Sequence, residues 1–193
     1  MRKLYNWMMA KAATPQAEAA LAFVAFIESS IFPLPPDLML VPMALAERRK
    51  AFRYALICTV ASVLGGLVGY GIGFFLYETV GRWILNLYGG ADVWYEKFKG
   101  WFDHYGALII IGKGLTPFPF KVVTIISGMV KFNLALFIGT SIIARAMRFF
   151  LVAGLLYAYG EKIRPFLEKH LEKVLAAFLV LLVGGFVLLK LFI

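Results

Sequence analysis

Six ionisable residues stand inside stretches of sequence that are otherwise apolar: Glu28, Asp37, Lys113, Lys121, Arg145 and Arg148. In hydrocarbon each would cost roughly 2.5–3.5 kcal/mol at a helix centre. Six together are affordable only if they pair or line a wet cavity. Arg145 and Arg148 are spaced i, i+3 and share one helix face. Two acids against four bases leave an excess of two positive charges. That suits an anion, and a phosphate group bound by arginine and lysine is the obvious one. Glu28 and Asp37 are then either counter-ions of the bases or groups that can take up a proton. A second reading needs no ligand: Arg148 and Lys121 are structural partners of Asp37 and Glu28. Lys113 and Lys121 could also snorkel to an interface, as Lys131 and Lys190 are expected to do. Thr116, Thr124 and Ser127 are read as satisfying backbone carbonyls.

These residues sit in a chain of 193 residues, of which 62% are hydrophobic and 16% charged. A soluble domain carries about 45–50% apolar and about 25% charged residues. A globule this small cannot hide so much apolar surface, so lipid must cover it. Soluble enzymes, disordered chains and disulfide scaffolds are excluded. Cys58 is the one cysteine, and His104 and His170 lie far apart. No internal disulfide is available. No metal site, cofactor or intramembrane enzyme is expected either: there is no His-rich motif, no paired-glutamate motif and no Gly-x-Ser-x-Gly. The net charge of +9 reads as cationic loops beside anionic lipid and not as a nucleic-acid surface.

Three stretches are long enough to cross a bilayer, at roughly 20 apolar residues each: 54–77, 132–160 and 174–193. Two others are interrupted. Residues 19–46 contain Pro33, Pro35 and Pro36, and residues 106–130 contain Pro117 and Pro119. Proline removes a backbone donor and expels the preceding residue from the helical region. The uninterrupted pieces reach only roughly 15–21 Å, short of an apolar layer about 30 Å thick. They are expected to form two re-entrant hairpins with their proline breaks at depth; full spans with proline kinks are the alternative. Such backbone is tolerated only inside protein or beside water. Residues 1–18 and 92–105 are expected to include amphipathic helices lying in the interface.

Pro33, Pro35 and Asp37 correspond to Pro117, Pro119 and Lys121, each pair 84 residues apart. The same order of parts surrounds both sets, so residues 1–81 and 92–160 read as two copies of one unit. Arg2, Lys3, Lys11, Arg48, Arg49, Lys50 and Arg53 fall on one side of the membrane, joined by Lys162, Arg164, Lys169 and Lys173. The positive-inside rule makes that side the cytoplasm and places the N-terminus there. Each unit then crosses once, so the copies are inverted, which is the geometry of alternating-access carriers. The last helix would carry the C-terminus outside. The expected fold is thus all-α and integral to the membrane: an inverted repeat of re-entrant hairpin plus transmembrane helix, with an extra C-terminal transmembrane helix. Gly65, Gly69 and Gly73 form a close-packing face for a helix of the same chain or of a second copy in a homodimer.

The stretch Glu28-Ser-Ser-Ile-Phe-Pro33-Leu-Pro35-Pro36-Asp37, followed by Gly112-Lys113-Gly-Leu-Thr-Pro117-Phe-Pro119-Phe-Lys121 and Ser127-Gly128, resembles the DedA superfamily. This is the VTT, or SNARE-associated Golgi protein, domain, and the form of the second motif is most similar to the YqaA-like branch. The resemblance covers about residues 15–160. It implies two opposed re-entrant hairpins and movement of polyprenyl-phosphate carriers or phospholipids between leaflets. It also implies a link to proton-motive-force homeostasis. The family's paired acids match Glu28 and Asp37, and its two basic hairpin positions match Lys113 and Lys121, where many relatives carry arginine. The expected function is transport of an anionic lipid across a bacterial inner membrane. Membrane lipids are the expected partners, with Lys113, Lys121, Arg145 and Arg148 around the head group. The alternatives are a membrane assembly protein that binds lipid without moving it, and a proton-coupled carrier of small solutes or ions.

Overall fold

A computed structural model describes residues 14–30, 35–77, 91–115 and 120–162. Every regular element among them is helical. All but Thr14 of the expected interfacial helix 2–14, the proline breaks at Pro33, Pro117 and Pro119, Thr116 and the expected span 174–193 lie outside the described residues.

Helix α1 runs Pro15–Ser30. It starts four residues before the boundary expected at 19, because Thr14 and Pro15 form a start signal. The amide of Ala17 donates to the Thr14 hydroxyl and carbonyl, at 3.3 and 3.0 Å, and proline at the first helical position gives up a donor that had no helical partner. Residues 15–18 therefore belong to α1. After the break, Pro36 caps α2, Asp37–Ala46, and its carbonyl accepts the Leu40 amide at 2.8 Å. A 3-10 turn, Arg48–Lys50, leads into α3, Ala51–Leu76.

Helix α4 runs Ala91–Leu115 without a break. The sequence suggested a boundary at 105/106, between an amphipathic segment and an apolar one. The change is one of composition only. Gly106 costs a helix about 1 kcal/mol and does not end it, and here it lies directly against the Phe132 ring. Helix α5 is Phe120–Met129. It closes with Lys131 in the left-handed region (φ 54°), while the Phe132 amide reaches the Ser127 carbonyl at 2.9 Å and the Lys131 amide the Gly128 carbonyl at 3.0 Å. This is a Schellman ending. Asn133 then caps the last described helix, α6, accepting the Leu136 amide at 3.0 Å. Helix α6 covers Leu134–Lys162.

The stretch Arg48–Leu76, which includes all of α3, and α6 are each long and apolar enough to cross a membrane, at 29 residues each. Helices α1, α2 and α5 have 16, 10 and 10 residues. One core cluster joins Leu21 and Ala25 of α1, Leu40 and Met43 of α2, Tyr54 and Cys58 of α3, and Phe149 and Ala153 of α6. A second joins Phe102 and Ile110 of α4, Phe120 and Val123 of α5, Phe137 of α6 and Tyr77, with Leu67 and Tyr70 of α3 packed against it. Both long helices thus serve both clusters. Arg48 adds a tie at the surface, donating to Glu161 at 2.5 Å and to the Tyr157 carbonyl.

The glycine face of α3 works inside the chain. Gly65 lies against the Phe26 carbonyl of α1, Gly69 against Thr124 of α5, and Gly73 against the Ile125 carbonyl; Gly128 of α5 reciprocates against the Tyr70 carbonyl. A Cβ at Gly65 or Gly73 would overlap backbone, which cannot swing away. Gly65→Val or Gly73→Val is therefore expected to destabilise the protein by at least about 1–3 kcal/mol. Gly71, with nothing near it, should accept alanine and gain up to about 1 kcal/mol. Thermal unfolding in detergent measures the contrast.

Candidate functional site

The last turn of α1 carries Glu28, Ser29 and Ser30, and α2 starts at Asp37. Both ends approach the middle of α6. There Arg145 donates through Nη2 to Glu28 Oε2 at 2.7 Å, and Arg148 donates through Nη2 to Asp37 Oδ2 at 2.5 Å. The i, i+3 spacing of the two arginines lets one helix face meet both acids.

The two pairs differ in their surroundings. The side chain of Arg145 is fully buried and that of Glu28 is 11% exposed, whereas Arg148 and Asp37 retain 16% and 18%. The Arg145 guanidinium lies between two rings, 4.7 Å from the centroid of Phe120 and 4.8 Å from that of Phe149. Arginine suits such a slot because its planar cation is weakly hydrated and stacks on aromatic faces. Asp37 has a different support. It occupies the first turn of α2, where the helix dipole favours a negative charge.

Hydroxyl groups extend the cluster across the other helices. Ser29 Oγ donates to Glu28 Oε2 at 3.1 Å and lies 2.5 Å from Ser62 Oγ of α3. Thr124 Oγ1 of α5 lies 3.3 Å from the Ser29 carbonyl and 2.8 Å from that of Lys121. A bonded chain of side chains and backbone thus runs from α6 through α1 to α3 and α5.

Of the six charged residues picked out by sequence, four meet as two pairs. Arg148 takes Asp37, as one reading expected, and Arg145 takes Glu28. Lys121 is half-buried, one residue beyond the Phe120 that covers Arg145, and Lys113 is exposed near the end of α4. The next residue, Gly114, rests against Ala144 of α6. Pro35 and Pro36 lead into Asp37. Thr124 and Ser127 bond to backbone carbonyls. Ser62, Ser141 and Phe149 belong to no motif, and Ser29 and Phe120 stand inside the two motifs without having been singled out. Their sequence signals are positional: Ser29 follows Glu28, Phe120 precedes Lys121, and Ser141 and Phe149 flank Arg145 by four residues each.

The model of the VTT domain matches residues 34–158. This span holds Asp37, both lysines and both arginines. The chain belongs to the VTT-domain family, within the DedA superfamily. Glu28 lies just ahead of the matched span. The chain is also similar to an uncharacterized protein of Haemophilus influenzae, 38% identical over 170 residues that make up 88% of each chain. A Histophilus somni protein, likewise described as uncharacterized, is 32% identical over 170 residues, again 88% of each. No solved structure matches the chain. Family membership, with the two long apolar helices, identifies a membrane protein of a family generally linked to transport.

Proposed function

We propose that the protein moves anionic, phosphate-bearing lipids between the leaflets of a bacterial inner membrane. The carrying observation is the pair of ion pairs on one face of a membrane-length helix. Charges so placed are expensive in lipid, and a family linked to transport gives them a use. In this reading, residues 19–46 and 106–130 dip into the bilayer from opposite faces as inverted copies. The N-terminus lies in the cytoplasm, and the head group enters the polar interior while the acyl or prenyl chains stay in lipid. Each arginine faces a carboxylate. Lys113 and Lys121 match the family's two basic hairpin positions, and each is a point charge suited to attracting a phosphate. Glu28 and Asp37 hold the arginines in place, and either acid would take up a proton when its pair opens.

Purified protein in vesicles of labelled lipids tests this. Exchange of phosphate-bearing lipid should exceed that of empty vesicles, and lipid hydrolysis should be absent. The double variant Lys113→Gln/Lys121→Gln should slow exchange of anionic lipid at least about 10-fold, equivalent to about 1.4 kcal/mol, and slow zwitterionic lipid less. Equal loss for both lipid types would remove the head-group role of the lysines. One observation favours a second reading. Both arginines are already matched by acids, as in a protein that binds lipid and partners without moving either. Binding without exchange would select it.

A further inference from the structure

Among the described residues, the buried side-chain atoms without a hydrogen-bond partner are few, and most fall on one line. Ser141 Oγ, Arg145 Nε and Arg145 Nη1 are three of them, and Asp37 Oδ1 is a fourth; the remaining one, Arg48 Nε, lies at the far end of α6 beside Glu161. Ser141, Arg145 and Arg148 are spaced i, i+4, i+7, so they occupy one face of α6 over about 10 Å. Asp37 meets that face through its other oxygen, bonded to Arg148. Ser141 and Arg145 are fully buried.

Orphaned polar atoms in a protein interior each cost about 1–3 kcal/mol, and more when charged. Three on one face of α6, with a fourth on the acid that meets that face, call for a hydrogen-bonding occupant. Two chemistries could satisfy them. An anion would accept from Arg145 and Ser141, but it would stand beside Glu28, which already neutralises that guanidinium, and it could do nothing for Asp37 Oδ1, which is itself an acceptor. Water can do both, since it donates and accepts. Two guanidinium groups against two carboxylates also leave no local charge for a third anion to neutralise.

We propose that this face of α6 holds a file of water molecules. It runs from the partly exposed Asp37–Arg148 pair inward past Arg145 to Ser141. Water bridges Ser141 Oγ to the free donors of Arg145, and donates to Asp37 Oδ1 at the mouth. Exposure falls along the same line, from 16–18% at the outer pair to zero at Arg145, which marks the outer pair as the entrance. The file does not depend on the nature of any transported lipid. Its consequence is kinetic. Either ion pair can part with solvent in place to receive the separated charges, where a dry site would leave them bare.

Silver ion, which reacts with thiols and travels where water does, tests the file. Ser141→Cys and Ile143→Cys are compared in bilayer discs, each in a Cys58→Ala background and in chloride-free nitrate buffer. Ile143 is two residues along the same helix on its outer, exposed face. The cysteine at 141 should be blocked at least about tenfold faster, and added sulfate should leave its rate unchanged. Equal rates, or no reaction at 141, overturn the proposal; slowing by sulfate overturns it in favour of an anion site. A second measurement needs no substitution. Hydroxyl radicals generated in bound water by X-rays should oxidise Phe120 and Phe149, beside Arg145, well above the equally buried Tyr54. Oxidation of all three at one low rate counts against the file independently of how the cysteine variants fold.

Discussion

Glu28→Leu is expected to destabilise the protein by about 3–5 kcal/mol, and Arg145→Met by a similar amount, because removing one member of a buried pair strands the other. The double variant Glu28→Leu/Arg145→Met should recover most of the loss. Arg145 lies against Phe120 and Phe149, and its charge is compensated by Glu28 at 2.7 Å. Without that carboxylate the buried guanidinium keeps two ring faces and its hydrogen-bonding solvent, none of which neutralises a full charge. With both charges gone, methionine can lie flat between the same two rings and leucine can fill the end of α1. Unfolding temperatures in detergent for the four proteins of the cycle give the coupling. Strictly additive losses would mean that each side chain is held by something other than its partner. Transport is expected to be lost in the double variant even where stability returns, which separates holding the fold from performing the work.

Asp37→Asn should behave differently. The outer pair is partly exposed, so its loss is expected to cost only about 1 kcal/mol of stability, with a few tenths more from the helix dipole. Asparagine keeps the shape and offers Arg148 one carbonyl oxygen. Lipid exchange in vesicles should nevertheless fall at least about 10-fold, because the variant can neither neutralise Arg148 nor exchange a proton. The measurement is leaflet exchange of a phosphate-bearing lipid by protein whose folding has been checked by thermal unfolding. Normal exchange would confine Asp37 to capping α2.

Much of this site is legible in the residues because charge in an apolar segment is costly and needs a reason. Glu28, Asp37, Arg145 and Arg148 declare themselves on that ground, and the spacing of the arginines already puts them on one face. Their pairing is not legible. Which acid meets which base depends on where α1 ends and how close the glycines of α3 let it approach, and no local pattern encodes that distance. The glycine face is visible as a spacing of four, but its partners, the Phe26 and Ile125 carbonyls, come from two separate helices. The start of α1 was within reach, since Thr14 and Pro15 are a capping signal that hydropathy alone passes over. The continuity of α4 was hidden for the opposite reason. Its first half is amphipathic and its second apolar, and a change of environment along a helix looks like a change of element. Lys113 and Lys121 were grouped with the arginines by composition, yet the rotation of α4 leaves Lys113 at the surface.

The unbroken course of α4 carries one more consequence. Twenty-five helical residues make a rod about 37 Å long. Its far end touches α6 at Gly114 and Ala144, one residue before Arg145. The amphipathic, aromatic-rich half of the rod and the arginine face of α6 are therefore coupled through one stiff element: a tilt at the first end is passed to the second, with no loop between them to absorb it.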